Sequence, residues 1–425
     1  MVTYRSSQVK CVIVLAFIKN QIKPSIHSMR LTLFLLFISS FCFAQKEEII
    51  GEKPVLNPPC EGFRESTLFD GTPAIIRDCE TGEDYSVATS LQELNTKALA
   101  LSLKNQNLTT FPAEIFRYPQ LRVLDLSGNS IASIPPEIRK LKALKFLNLA
   151  GNKITSLPKE LWSLTDLREL YFTGNKIDSL PEALGNLRHL QELYLIDCGM
   201  QSMPAGLNRL TELRILSMRG NRLTAFPSIG TLTRLQNLQL GGNKITALPD
   251  DIGACQALQE LNLNGNKLRS LPASFGGLTA LQRLSMNYNE LTELPASFPE
   301  LHNLMRLEIS DNKLSRFPDG FGRLAKLNSL DLSYNKLTEL PQDFSGLTNL
   351  QYLTLTKNAL TSLPQGMSEL TNLWQIILTA NQLTTLPPNL KNLSRLKYLM
   401  LTNNPLPEAD MQQLKREMPK CQISF

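Results

Sequence analysis

Outside residues 1–44 the 425-residue chain carries two histidines, His189 and His302, 113 positions apart. Imidazoles do acid-base or metal chemistry only where they meet each other, a carboxylate or a thiolate, and this separation brings no such set together in sequence. The patterns H-E-x-x-H, G-x-S-x-G, C-x-x-C and a phosphate-cradling glycine loop do not occur. Carboxylates are plentiful, but Asp311, Asp331 and others like them fall at positions where solvated strand or turn residues are expected. Beyond residue 44 the thiols are Cys60, Cys79, Cys198, Cys255 and Cys421. A nucleophilic thiolate needs a neighbour that lowers its pKa, and Cys198 has none. The sequence predicts no catalysis, no metal and no cofactor.

Recognition is the chemistry the chain does offer. Phe146, Tyr171, Tyr194 and Ile215 recur at nearly constant intervals, and Tyr352, Trp374, Ile377, Tyr398 and Met400 do so again toward the C-terminal end. Between the two runs lie Gln239, Asn262, Arg283, Ser285, Arg306 and Glu308. Tyr and Trp bury much area with little loss of side-chain freedom, and Arg adds bidentate contacts, as protein interfaces require. The bland alternative is that aromatic residues simply suit strands and stack on one another.

The elements that position these residues are set by leucines spaced 23 residues apart from Leu121 to Leu213, and again from Leu235 to Leu396 after one step of 22. Each unit reads L-x-x-L-x-L-x-x-N-x-L-x-x-L-P, as in residues 144–158. The L-x-x-L-x-L alternation predicts a short strand with one buried face. Next comes Asn at Asn129, Asn152, Asn175, Asn221, Asn243, Asn266, Asn289, Asn312, Asn335, Asn358, Asn381 and Asn404, where the chain turns inward and an amide can satisfy stray backbone groups. Cys198 takes that slot once and reads as a buried packing thiol; Cys255 stands in a leucine slot and reads as core. The proline after each unit stops the strand and permits a short helical turn on the opposite side.

This pattern resembles the leucine-rich repeat family. The resemblance implies an α/β leucine-rich repeat solenoid, a right-handed horseshoe with a parallel concave sheet, about fourteen coils and a cap at each end. Within that family the Leu-Pro-x-x-Ile form looks most like the Ras-associated scaffold and plant intracellular Ras-group repeat proteins. The first coil starts, degenerately, at Ala98, and the missing residue falls in 226–229. No unit could bury enough apolar surface to stand alone, so stacking is obligatory. On this geometry about five coils, or roughly 24 Å, separate the histidines.

Charge points to location rather than to a ligand. Residues 1–44 hold Arg5, Lys10, Lys19, Lys23 and Arg30 and no acidic residue, while the remainder carries 39 basic against 38 acidic side chains. Such balance leaves no footprint for phosphate backbones, so no nucleic-acid partner is expected. Met29-Arg30, the apolar stretch from Leu31 to Phe41 and the step from Ala44 to Gln45 resemble a signal peptide, too short for a transmembrane span. Residues 1–28 make a poor leader, and Met29 is an alternative start. The expected partition is 29–44 signal peptide, 45–97 N-terminal cap or accessory segment, 98–405 repeats and 406–425 C-terminal cap. In the front segment 63–69 and 72–77 read as strands around Asp70-Gly71, and a Cys60–Cys79 disulfide would staple that hairpin in an oxidising compartment.

The leader points to a secreted or periplasmic protein, and the resemblance implies that it binds a protein partner through its concave face. One alternative is a glycan-binding surface adhesin using the same aromatics beside Asn and Gln; another is cytoplasmic residence if the leader does not function. A third is an effector enzyme like the bacterial repeat-bearing ubiquitin ligases. Those carry a shorter repeat and a large catalytic domain with a nucleophilic Cys, whereas 29 residues follow Leu396, with Cys421 among them.

Overall fold

The computed structural model describes residues 63–66, 75–78 and 82–425, all within a unit spanning 61–425. Residues 1–28, the leader 29–44, and both Cys60 and Cys79 lie outside the described residues.

Every L-x-x-L-x-L segment forms a three-residue strand. The first coil contributes β4 (Ala100–Ser102), and thirteen more follow, from β5 (Val123–Asp125) to β17 (Tyr398–Met400). They pair in parallel and in order, each residue opposite the one a repeat later, as in Phe146↔Glu169 and Leu147↔Leu170. The short step keeps this register, pairing Ile215 with Asn237. Its missing residue is absorbed on the convex side, where 218–236 form no 3-10 helix although most coils have one.

Burial follows the consensus. In the coil from Leu144, the side chains of Leu144, Leu147, Leu149, Ile154, Leu161 and Leu164 are fully buried, each stabilising the stack by about 1.5–3 kcal/mol. On the convex side the segment after proline is a single 3-10 turn, for example Lys159–Ser163. Four successive coils place Phe275, Phe298, Phe321 and Phe344 there, all fully buried, the first three rings stacking at 6.1 and 6.4 Å. The outer turns pack closely: a Cβ on Gly253 would lie 2.0 Å from the Ser274 carbonyl.

The asparagines form a ladder interrupted once. Asn266 accepts from the Ile245 N–H at 3.0 Å and donates to the carbonyls of Leu240 and Leu263, both at 3.0 Å. The Leu240 carbonyl also accepts from Asn243 and that of Leu263 from Asn289, so each carbonyl is shared by two consecutive amides. Cys198 breaks the series, donating its Sγ–H to the Phe172 carbonyl at 3.2 Å. Just before each asparagine the backbone is left-handed, at Gly128, Gly151, Gly174, Gly220, Gly242 and Gly265, but also at Tyr288, Asp311, Tyr334, Lys357, Ala380 and Asn403.

Both ends extend the sheet. β1 (Phe63–Ser66) and β2 (Ile75–Asp78) form the antiparallel hairpin that the sequence suggests. β2 pairs antiparallel with β3 (Asp84–Ala88), which joins β4 in parallel. A 3-10 turn, Leu91–Glu93, follows; the Glu93 carboxylate accepts from the Thr89 N–H and the Ser90 hydroxyl. At the far end α1 (Glu408–Glu417) buries Leu414, and Met418 just beyond it. β18 (Gln422–Ser424) then pairs in parallel with β17.

Candidate functional site

Because strand side chains alternate, the third and fifth residues of each L-x-x-L-x-L face the concave side. Tyr171 and Tyr194 share the fifth-position column, their rings parallel at 4.6 Å. Phe146 and Ile215 stand in the third-position column, with Glu169 and Glu192 between them. The four thus divide between the third and fifth slots, in two neighbouring columns. Phe146 still reaches Tyr171, at 5.3 Å between centroids.

The intervening carboxylates complete this patch internally. The Tyr171 hydroxyl donates to Glu169 at 2.8 Å and lies 3.2 Å from Glu192, and the Tyr194 hydroxyl donates to Glu192 at 3.1 Å. Burial, reinforced by the two carboxylate charges, holds the Tyr171 phenol far above its ordinary pKa; burial and Glu192 do the same for Tyr194.

The chain's own front segment covers part of the same wall, which sequence reasoning missed. Tyr85 and Val87 of β3 pack with Ala100 and Val123, and Phe146 lies against that cluster. Asp78, 1 % exposed, meets Lys145 at 2.9 Å and Arg168 at 3.6 Å. Glu83 pairs with Arg122 at 2.6 Å. These cations precede three successive strands, so the β2–β3 turn is fastened across the edge of the first coils. Nothing in a non-repeating segment announces a contact 67 residues away in sequence.

In the middle of the wall the polar side chains bond laterally. Asn237 bridges Gln239 and Glu260 at 2.8 and 2.7 Å, Glu260 holds Arg283 in an ion pair, and Ser285 donates to Glu308 at 3.0 Å. Arg306 lies beside Arg283 in the adjacent strand. Arg283 is exposed and Arg306 half-buried.

Toward β17 the second run comes together. Trp374, just ahead of its strand, approaches Tyr352 at 5.7 Å and Tyr398 edge-on at 4.9 Å. Ile377 and Met400 are neighbours in the fifth-position column. All five side chains are half-buried, leaving a contiguous, partly open aromatic and aliphatic surface.

The groups considered for catalysis are dispersed. His189 faces Glu212 and His302 faces Glu300, each at 3.3 Å and each exposed. Burial pushes the Cys198 thiol up to about 11 and that of Cys255 up to about 12, and raises Cys421 as well. Asp311 and Asp331 depart from the solvated state expected of them: both are half-buried, and desolvation raises their carboxyl pKa values. Among the described residues no three His, Cys, Asp or Glu side chains could hold a metal ion, and no helix is long and apolar enough to cross a membrane.

Two family models match, one described as a leucine-rich repeat region over 95–225 and one as leucine rich repeat over 233–291, 291–337, 302–360, 327–383 and 348–406. A leucine-rich repeat protein of Leptospira interrogans is similar at 31 % identity and a TM-score of 0.63, over 80 % of this chain and 99 % of that one. The plant peptide hormone receptor RGFR1, solved in complex with RGF2, is similar at 30 % identity and a TM-score of 0.58, over 74 % of this chain and 60 % of the receptor. An internalin of Listeria monocytogenes shares the fold at 23 % identity and a TM-score of 0.57, over 76 % of this chain and 86 % of that one. Among curated proteins nothing matches. With its repeats in register from end to end and a relative matched along nearly its whole length, the chain belongs to the leucine-rich repeat family.

Proposed function

We propose that this is an exported, secreted or periplasmic, protein of the 23-residue Leu-Pro-x-x-Ile subtype that captures a protein or peptide on its concave wall without chemistry. Tyr352, Trp374, Ile377 and Tyr398 are its main anchors. The observation that carries the reading is the Tyr352–Trp374–Tyr398 cluster, half-open on a wall whose other side chains are largely engaged. Large aromatic groups on such a surface gain most when a partner desolvates them. Phe146, Tyr171, Tyr194 and Ile215, with Arg283 and Arg306 between, form the remaining contact surface. The similarity to a peptide hormone receptor solved with its ligand supports this mode.

The test is affinity capture from extracellular and envelope extracts and on a glycan array. It compares the intact chain, a Tyr352→Ala/Trp374→Ala/Tyr398→Ala variant and a Tyr171→Ala/Tyr194→Ala variant. A protein retained by the intact chain and lost from the first variant supports the reading. Equal retention by all three removes the site assignment, and saturable glycan binding without a protein partner replaces the reading with an adhesin.

A further inference from the structure

Beside the concave wall runs a second row of side chains, carried by the left-handed residue that precedes each ladder asparagine. Six other coils place glycine there; Tyr288 and Tyr334 occupy it at φ 57° and 56°. A left-handed backbone disfavours any residue with a Cβ, yet these coils present tyrosines, 55 % and 41 % exposed. Only Met305 joins them as an exposed large hydrophobic among the described residues.

Asp311 holds the same position in the coil between them, so the two tyrosine positions are about 10 Å apart with Asp311 between them. That gap has room for one flat cationic group. Asp331 and Glu308 lie close by, and their charges act on one another. Among the described residues neither Asp311 nor Asp331 has an ion-pair partner within 4.0 Å, although the Lys357 charge acts on Asp311 from farther away. The chain itself indicates what suits such a place: the Lys357 ammonium lies over the Tyr334 ring, 4.7 Å from its centroid. A ring face attracts a cation through its quadrupole. The Tyr288 ring has no corresponding cation among the described residues.

We propose that Tyr288, Asp311 and Tyr334 form a rim docking surface, separate from the concave anchors, whose occupant is an arginine-bearing basic segment of a partner protein. One guanidinium lies against the Tyr288 ring with its charge toward Asp311. Carboxylates at the centre of the row make an anionic partner a poor fit.

The test titrates a fluorescein-labelled Gly-Arg-Gly-Arg-Gly-Arg-Gly peptide, and its Gly-Glu and Gly-Lys counterparts, into the full chain at low salt, followed by fluorescence anisotropy. Tyr288→Gly is the informative variant, because glycine suits that φ and the fold survives. The arginine peptide should bind saturably and the glutamate peptide should not. Tyr288→Gly and Asp311→Asn should each weaken binding by about 2- to 30-fold, with Tyr288→Phe close to the parent. The lysine peptide should bind more weakly than the arginine peptide, which stacks its flat guanidinium on the ring. The proposal is overturned by no saturable binding, by equal binding of the glutamate peptide, or by unchanged affinity in Tyr288→Gly and Asp311→Asn.

Discussion

Replacing Cys198 by Asn should stabilise the repeat array, and replacing Asn266 by Ala should weaken it more strongly. At Asn266 the loss can be itemised from the ladder. The Leu240 and Leu263 carbonyls would each keep one bond, from Asn243 and Asn289, but the buried Ile245 N–H would keep none. An orphaned buried donor costs about 1–3 kcal/mol and each of the two lost carbonyl bonds about 1 kcal/mol, so Asn266→Ala should cost about 3–5 kcal/mol. At position 198 the ladder already has this gap. Cys198 offers no oxygen to the Ile177 N–H, while in the preceding coil Asn175 accepts from Ile154 at 2.9 Å. An amide there would accept from Ile177 and donate to the Phe172 and Leu195 carbonyls, replacing one thiol bond. The net gain should be about 1–2 kcal/mol. Long arrays unfold partly coil by coil, so urea denaturation should be paired with amide exchange of peptides covering Ile177 and Ile245. The two variants should slow exchange at the first and speed it at the second. A lower urea midpoint for Cys198→Asn, or a cost below about 0.5 kcal/mol for Asn266→Ala, would refute the view that the amides hold the coils together.

Three further outcomes follow from the same geometry. Asp78→Asn removes the buried charge that Lys145 and Arg168 face, and should destabilise the front hairpin by about 3–5 kcal/mol; limited proteolysis should then cut within 79–90 while the repeats stay intact, and unchanged cleavage would count against the fastening. Tyr171 and Tyr194 have phenol pKa values raised above the unfolded value of 10.0, so the folded state holds more protons at high pH. Their contribution is present in full below pH 10 and is lost as pH rises through the folded values; Tyr171→Phe/Tyr194→Phe should flatten the alkaline decline in melting temperature. Native labelling with a disulfide reagent at pH 8 should modify half-buried Cys421 well before buried Cys198 and Cys255, and rapid reaction of the latter two would contradict their burial.

The coil framework was legible because the same physical demand recurs: a leucine must face inward and an amide must meet two carbonyls, so position alone identifies each role. The outward positions carry no such recurring demand, so their bonding was not legible. Phe146 and Ile215 differ from Tyr171 and Tyr194 by a single pleat, and that offset puts Glu169 and Glu192 between them, where they bind the hydroxyls. The Tyr288 and Tyr334 row was open to inspection as a departure from glycine, but only when the turn before the asparagine is compared across coils as carefully as the strand. The reach of Asp78 to Lys145 was not legible at all, since an antiparallel hairpin outside the repeat carries no periodic signal that fixes where it folds.

These differences give the wall a direction. At its front Tyr85 and Val87 lie on Val123 and Phe146, and a partner there must compete with an attached segment that is held by ion pairs and needs no association entropy. In the middle, a partner must match polar groups already bonded to one another, which exchanges one set of hydrogen bonds for another with little net gain. Near β17 the Trp374 cluster is half-buried and has aromatic and aliphatic surface left to bury, so the same contact area yields more there. A ligand lying along the wall would therefore be anchored first at the wall's C-terminal end, beside β17, and the Tyr288–Tyr334 row, beside the polar middle, is placed to hold the part of a partner that the wall itself grips least.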